Sequence, residues 1–146
     1  MSDKIIVILA KANWCGHCKK FSPIYDLAKK LYKNHEHLKN LSINFYDYDL
    51  ANENEKNNFM LNHFKAYDKV SGYPTVLVNI IDENNDNYIN IEHTVIDSKN
   101  DEEDASNRFL ENISNVIKSL NSDSKKLYLQ EGGEKKDFFK FKFGLN

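Results

Sequence analysis

Residues 4–28 read KIIVILAKANWCGHCKKFSPIYDLA. The first seven are almost wholly apolar and rich in β-branched side chains, the pattern of a central strand covered on both faces. From Gly16 to about Asn34 the period changes. Phe21, Ile24, Tyr25, Ala28, Leu31 and Tyr32 recur at three- and four-residue spacing, which predicts a helix with one apolar face. Pro23 falls inside that pattern and is expected to kink the helix. Cys15-Gly16-His17-Cys18 sits where the strand ends and the helix starts, and everything else in the chain is read outward from that junction.

Downstream, LSINFYDYD at 41–49 alternates as a second strand, and a helix is predicted from about 53 to 67 with Phe59, Met60, His63, Phe64 and Tyr67 on one side. GYPT at 72–75 leads into an apolar run, VLVNII, at 76–81. The cluster DENNDN at 82–87 is a turn signal, and YINIEHTVI at 88–96 alternates as the second arm of a hairpin. Asp101 to Asp104 read as capping and dipole compensation for a helix near 105–120. A strand–helix–strand start implies a parallel pair and the late hairpin adds antiparallel strands, so the fold class is α/β with a mixed sheet. The organisation expected is one domain over residues 1–121 and a C-terminal extension over 122–146.

Bulk composition narrows the function. A chain of 146 residues can bury one core without staples, and 40% hydrophobic with 29% charged residues is ordinary for a soluble protein. A net charge of −2 gives no reason to expect nucleic acid as a partner. The run IIVILA is too short for a membrane span and leads straight into the cysteine motif, which argues against a signal peptide. A cytoplasmic, monomeric protein with no membrane partner is therefore expected. Arginine occurs once, at Arg108, and asparagine is abundant. That usage suits an AT-rich genome and resembles that of protists and of amoeba-infecting large DNA viruses, some of which package such proteins in the virion.

Cys15 and Cys18 are the only cysteines. Such a pair can exchange electrons through a disulfide, hold a metal, or be inert. A structural zinc site needs four ligands; His17 lies between the cysteines, and His35, His37, His63 and His93 show no partnered spacing. No metal is expected, apart from the alternative of a site shared across a dimer. For exchange the placement is favourable. Unpaired N–H groups and the positive dipole end of a first helical turn stabilise a thiolate at Cys15. Cys18, one turn on, can reach that sulfur from a more shielded position. His17 adds positive charge when protonated, and Gly16 leaves room for a substrate backbone. One thiol attacks and the other resolves the mixed disulfide.

WCGHCKKFSPIYDLA at 14–28 resembles the active-site helix of the thioredoxin superfamily, in the form typical of protein disulfide isomerases. The match takes in Trp14, both cysteines, Gly16, His17, Lys19 and Pro23. GYPT at 72–75 is similar to a second family feature, a proline, normally cis, packed against the cysteines. The resemblance implies a thioredoxin-like fold of about four to five strands flanked by helices, here without the usual N-terminal strand and helix. It also implies a thiol–disulfide oxidoreductase in which Cys15 attacks and Cys18 resolves. Trp14 would shield the sulfurs, and Tyr73, Pro74 and Thr75 would present an extended substrate segment as an added strand. Its substrates would be protein thiols and disulfides, with an unidentified electron donor or acceptor. No cofactor is needed beyond the cysteine pair itself. Direction (reductase, isomerase or oxidase) would follow the surroundings, since the two family types differ by about 90 mV, or about 4 kcal/mol for two electrons.

Three features depart from that family. Leu9 stands where a buried acid, six residues before the first cysteine, usually accepts the resolving thiol's proton. Lys11 stands where an aromatic is common, and is expected either to lend charge to Cys15 or to point to solvent. The late hairpin lacks the usual glycine and basic residue. Asp47 and Asp49 are read as structural. The strand at 41–49 is expected at a sheet edge, and the tail KKLYLQEGGEKKDFFKFKFGL at 125–145 reads as two alternating segments, of which 138–143 is expected to pair with that edge. The contrasting function is a thioredoxin-fold docking module that uses this aromatic tail.

Overall fold

The computed structural model describes residues 4–81, 88–91 and 101–130. Strand β1 (Lys4–Lys11) lies next to β2 (Ser42–Asp49), which it pairs in parallel from Lys4↔Ser42 to Lys11↔Asp49. On its other side β1 pairs antiparallel with β3 (Thr75–Ile81), and β3 pairs antiparallel with β4 (Ile89–Ile91). Among the described residues the sheet order is β2-β1-β3-β4, with the most apolar strand central and β2 at an edge, as the sequence predicts. The helices are α1 (Gly16–Leu31), followed by a 3-10 turn over Tyr32–Asn34, then α2 (Glu53–Asn62), α3 (Phe64–Tyr67) and α4 (Glu102–Gln130).

Period-two alternation sorts β1 onto two cores. Ile5, Val7 and Leu9 face α1 and α4, where Phe21, Ile24, Tyr25, Ala28, Phe109, Leu110 and Ile113 are fully buried. Ile8 and Ala10 face the other side with Leu77, Phe59 and Ala66. Each large side chain removed from water this way contributes roughly 1.5–3 kcal/mol, so these two layers carry the fold. Polar ties fix their relative position. The Tyr25 hydroxyl lies 2.6 Å from the Tyr46 carbonyl and 3.1 Å from that of Val7, pinning α1 under β1 and β2. The Ser106 hydroxyl donates to the Ile24 carbonyl at 2.9 Å, pinning α4 to α1. Asp101 caps α4 by accepting from Asp104 N at 2.7 Å, the role read for the acidic cluster. Helix α1 runs through Pro23 from Gly16 to Leu31.

Two elements differ from the sequence reading. The helix expected at 53–67 breaks at His63 (φ −141°, ψ 55°), so its apolar side is not continuous. Phe59 is buried, whereas Met60, Leu61 and Phe64 are 36%, 81% and 57% exposed. His63 is itself buried, packed 5.0 Å from the Tyr46 ring and 5.8 Å from Tyr48, and tertiary packing there overrides a local helical pattern. Secondly, α4 continues to Gln130, so residues 125–130 are helical rather than an alternating strand. KKLYLQ contains good helix formers with an alternation too short to separate the two states, and an existing helix extends more easily than a strand nucleates. The turn at 82–87, the hairpin residues 92–96 and the pairing expected of 138–143 lie outside the described residues.

Candidate active site

The end of β1 and the start of α1 hold the cysteines. Cys15 is the N-cap of α1, with extended backbone angles (φ −85°, ψ 116°), and its own N–H donates to the Ala12 carbonyl at 3.0 Å. Its sulfur takes the place that a capping oxygen normally fills, accepting from Cys18 N at 3.2 Å. A sulfur that accepts an orphan N–H at a helix N-terminus is placed where a thiolate is stabilised by the hydrogen bond and by the dipole. Both cysteines are free thiols. Cys15 is 7% exposed and Cys18 only 2%. Burial first, then the hydrogen bond to the Cys15 sulfur, pushes the Cys18 thiol up to about 11, so it keeps its proton at neutral pH.

From β3's side, the Tyr73 carbonyl oxygen lies 3.8 Å from Cys15 Sγ, and the Tyr73–Pro74 bond is cis. Trp14 is 69% exposed and meets Tyr73 edge-on, centroids 5.8 Å apart at 82°. The two rings touch each other, Trp14 being next to Cys15 in the chain, and sequence distance hid this pairing of residues 59 positions apart, for which no local signal exists. Gly16 and His17 are exposed on the first turn; a Cβ added at Gly16 or at Gly72 would meet nothing within 4 Å, so open space lies before both. Thr75 is buried and its hydroxyl donates to the Gly72 carbonyl at 2.6 Å, so its side chain shapes the loop rather than facing outward.

Leu9 is fully buried among the side chains facing α1 and α4. The Lys11 ammonium pairs with Asp47 at 3.0 Å in an exposed position, and its charge acts on the Cys18 thiol against the burial that raises it. Burial pulls the Lys11 pKa down, but the bond to Asp47 and the carboxylates of Asp47, Asp26 and Glu55 together outweigh that and raise it. Asp49 Oδ1 accepts from Asn13 N at 3.1 Å and Ala51 N at 3.0 Å, and Leu50 N donates to the Lys11 carbonyl at 2.8 Å. The end of β2 thereby holds the segment that delivers Trp14 and Cys15. Among the described residues no group of three or more His, Cys, Asp or Glu is placed to hold a metal, and no helix is long and apolar enough to cross a membrane.

A mixed sheet that presents a helix-capping cysteine, a buried cysteine one turn on and a cis-proline loop across from them defines a thioredoxin-fold dithiol protein. The Thioredoxin family model matches residues 1–99, about two thirds of the chain, and the chain belongs to that family. It is 40% identical over 53 residues to a thioredoxin of Borreliella burgdorferi, covering 36% of this chain and 39% of that one. It is 37% identical over 73 residues to protein disulfide-isomerase A4 of Bos taurus, covering 50% of this chain and 9% of that one. The solution structure of the first thioredoxin domain of mouse protein disulfide-isomerase A4 superposes with a TM-score of 0.41 at 21% identity, covering 75% of this chain and 63% of that one. The chain thus spans well under half the length of the curated relatives it matches.

Proposed function

We propose that the protein exchanges disulfides with protein substrates through Cys15 and Cys18. The Cys15 thiolate attacks one sulfur of a substrate disulfide, forming a mixed disulfide and releasing the other sulfur as a thiolate that takes up a proton. Cys18 then loses its proton and attacks Cys15 Sγ, releasing the second substrate thiol. The substrate gains two electrons, and the protein is left with a Cys15–Cys18 disulfide that an external dithiol must reduce; run backwards, the same steps oxidise a substrate dithiol.

The observation that carries this reading is the inequality of the two sulfurs. Cys15 Sγ caps the helix beside the Tyr73 carbonyl, while Cys18 is buried with its thiol held up near 11. His17, exposed next to Cys15, supports the thiolate electrostatically when protonated. Trp14 and Tyr73, whose rings meet edge-on, would offer apolar surface to a substrate, and the Tyr73 backbone would pair with an extended peptide. Insulin reduction driven by dithiothreitol tests it: wild type is expected to accelerate precipitation and Cys15→Ala to abolish the acceleration. Turnover that is absent, or indifferent to Cys15, favours a docking role instead.

A further inference from the structure

Lys11 ends β1 on the side that faces α1 and α4, two residues beyond the fully buried Leu9, and Asp47 shares that side of the neighbouring strand with Ile43 and Phe45. The parallel register sets Asp47 beside Leu9 rather than beside Lys11, so the 3.0 Å ion pair is diagonal and the ammonium leans back toward Leu9. Helix α1 packs on this side, and Cys18 lies on its buried face, one turn before Phe21 and two before Tyr25. Cys18 also packs against Ala12, the residue that follows Lys11 in the chain. Strand and helix thus bring a cation and the buried thiol together, at a position where the resemblance puts an aromatic side chain. Among the described residues, the charged groups about Lys11 are Asp47 on β2, Asp26 on α1 and Glu55 at the start of α2; the titratable groups about Cys18 are Lys11 and the Cys15 sulfur.

Granted the exchange proposed above, we propose that Lys11, held by Asp47, is a positioning residue for its second step, in which its positive charge stabilises the Cys18 thiolate. In that step the Cys18 S–H bond breaks and the proton passes to water. The thiolate forms a bond to Cys15 Sγ as the bond from Cys15 to the substrate sulfur breaks, and that sulfur leaves as a thiolate. Burial opposes the charged form of Cys18, and with Leu9 at the position of the usual acid no carboxylate there takes the proton. A nearby cation offsets part of that penalty without accepting anything itself. Lys11 is suited to this role because Asp47, Asp26 and Glu55 keep it protonated, so its charge is present at neutral pH. Asp47 supplies the geometry, since an unanchored lysine stem is flexible and its ammonium strongly hydrated, which would carry the charge outward into water.

Mixing the full-length dithiol protein with a single equivalent of the chromogenic disulfide DTNB separates the two steps. Attack by Cys15 releases one coloured thiolate, and attack by Cys18 on the resulting mixed disulfide releases the second. Followed against pH, the second phase of Lys11→Met is expected to inflect about one pH unit above that of the wild type, a shift that lost packing alone does not produce. Its rate at pH 7 should be about threefold lower, because the greater nucleophilicity of a more basic thiolate recovers about half, on a logarithmic scale, of a roughly tenfold loss of thiolate. Lys11→Arg, which keeps the charge and can keep the pairing with Asp47, should restore the wild-type profile. Lys11→Gln makes the same comparison if the methionine variant fails to fold. A second phase with the same pH profile in the uncharged variant and the wild type overturns the proposal. So does slowing confined to the first phase, which would assign the charge to Cys15. A wild type with no first phase would overturn the exchange itself, and this role with it.

Discussion

Two sulfurs a single helical turn apart behave differently because one caps a helix and the other is inside it. The Cys15 sulfur receives the Cys18 N–H, and burial holds the Cys18 thiol near 11. A small alkylating reagent at pH 7 should therefore modify one cysteine rapidly and the other slowly. The rate at Cys18 should climb about tenfold per pH unit, as its thiolate fraction does, until the pH nears 11. Equal rates would remove the basis for assigning attacker and resolver. The same shift has a consequence for stability. A thiol whose pKa is raised by folding is bound to its proton more tightly in the native state, so its contribution is complete below about pH 9 and is lost as the pH rises toward 11. On the proposed mechanism, Leu9 bears on the resolving step because the resemblance puts a buried acid at its position. With a fully buried aliphatic side chain there and no carboxylate to accept the Cys18 proton, the mixed disulfide should be released slowly. Leu9→Glu should speed that release up to roughly 10²-fold in single-turnover measurements, within the range of general-base assistance. It should also lower stability by a few kcal/mol, because a carboxyl group replaces a packed leucine. Identical release rates would show that Cys18 deprotonates by another route.

At the scale of elements, the connections that position the site are few and can be cut singly. Ser106 joins α4 to α1 through the Ile24 carbonyl, in the middle of the helix that presents both cysteines. Ser106→Ala removes one buried hydrogen bond, about 1 kcal/mol, and should lower the melting temperature by about 3 °C. An unchanged midpoint would mean that packing of Phe21, Tyr25 and Phe109 alone holds the pair together. The break at His63 gives a different handle. Burial lowers the pKa of that imidazole, so the unfolded chain takes up the proton first. Stability should then fall as the pH drops below about 6.5, and His63→Phe should flatten the dependence. What the sequence reveals about these elements follows the strength of their periodicity. β1, α1 and β2 are legible because their apolar residues repeat without interruption over eight or more positions. The break between α2 and α3 is not, since no glycine or proline marks it and His63 is fixed by tyrosines fifteen and seventeen residues away. The reach of α4 beyond 120 is hidden for the opposite reason: short alternation and helical propensity compete there, and a helix already under way wins.

For the whole molecule, the proposed exchange at the cysteines should couple redox state to folding. Their spacing and the tyrosine-proline dipeptide are visible in the sequence. The contacts that give them chemistry are legible only in part: the approach of Tyr73 to Cys15 follows from the resemblance, whereas Asp49 to Asn13 and Trp14 to Tyr73 join distant segments without a local signal. Those contacts belong to the dithiol form: the Cys15 sulfur accepts the Cys18 N–H and lies against the Tyr73 carbonyl as a free thiol, and Cys18 is buried with its proton in place. Whatever the native fold gives the dithiol in excess of the disulfide must reappear as a higher reduction potential, by thermodynamic closure. About 30 mV corresponds to 1.4 kcal/mol for two electrons. The reduced protein should therefore melt above the oxidised one, by about 3 °C for each kcal/mol of preference. The potential obtained from a glutathione or dithiothreitol titration should agree in size with that difference, once the unfolded chain's own disulfide equilibrium is included. Parallel melts of the dithiol and disulfide forms provide the check. A disulfide form that melts at the same temperature or higher would mean that the fold does not favour free thiols. The pair would then be a weak oxidant suited to reducing its substrates, with the helix-capping sulfur setting rate rather than direction.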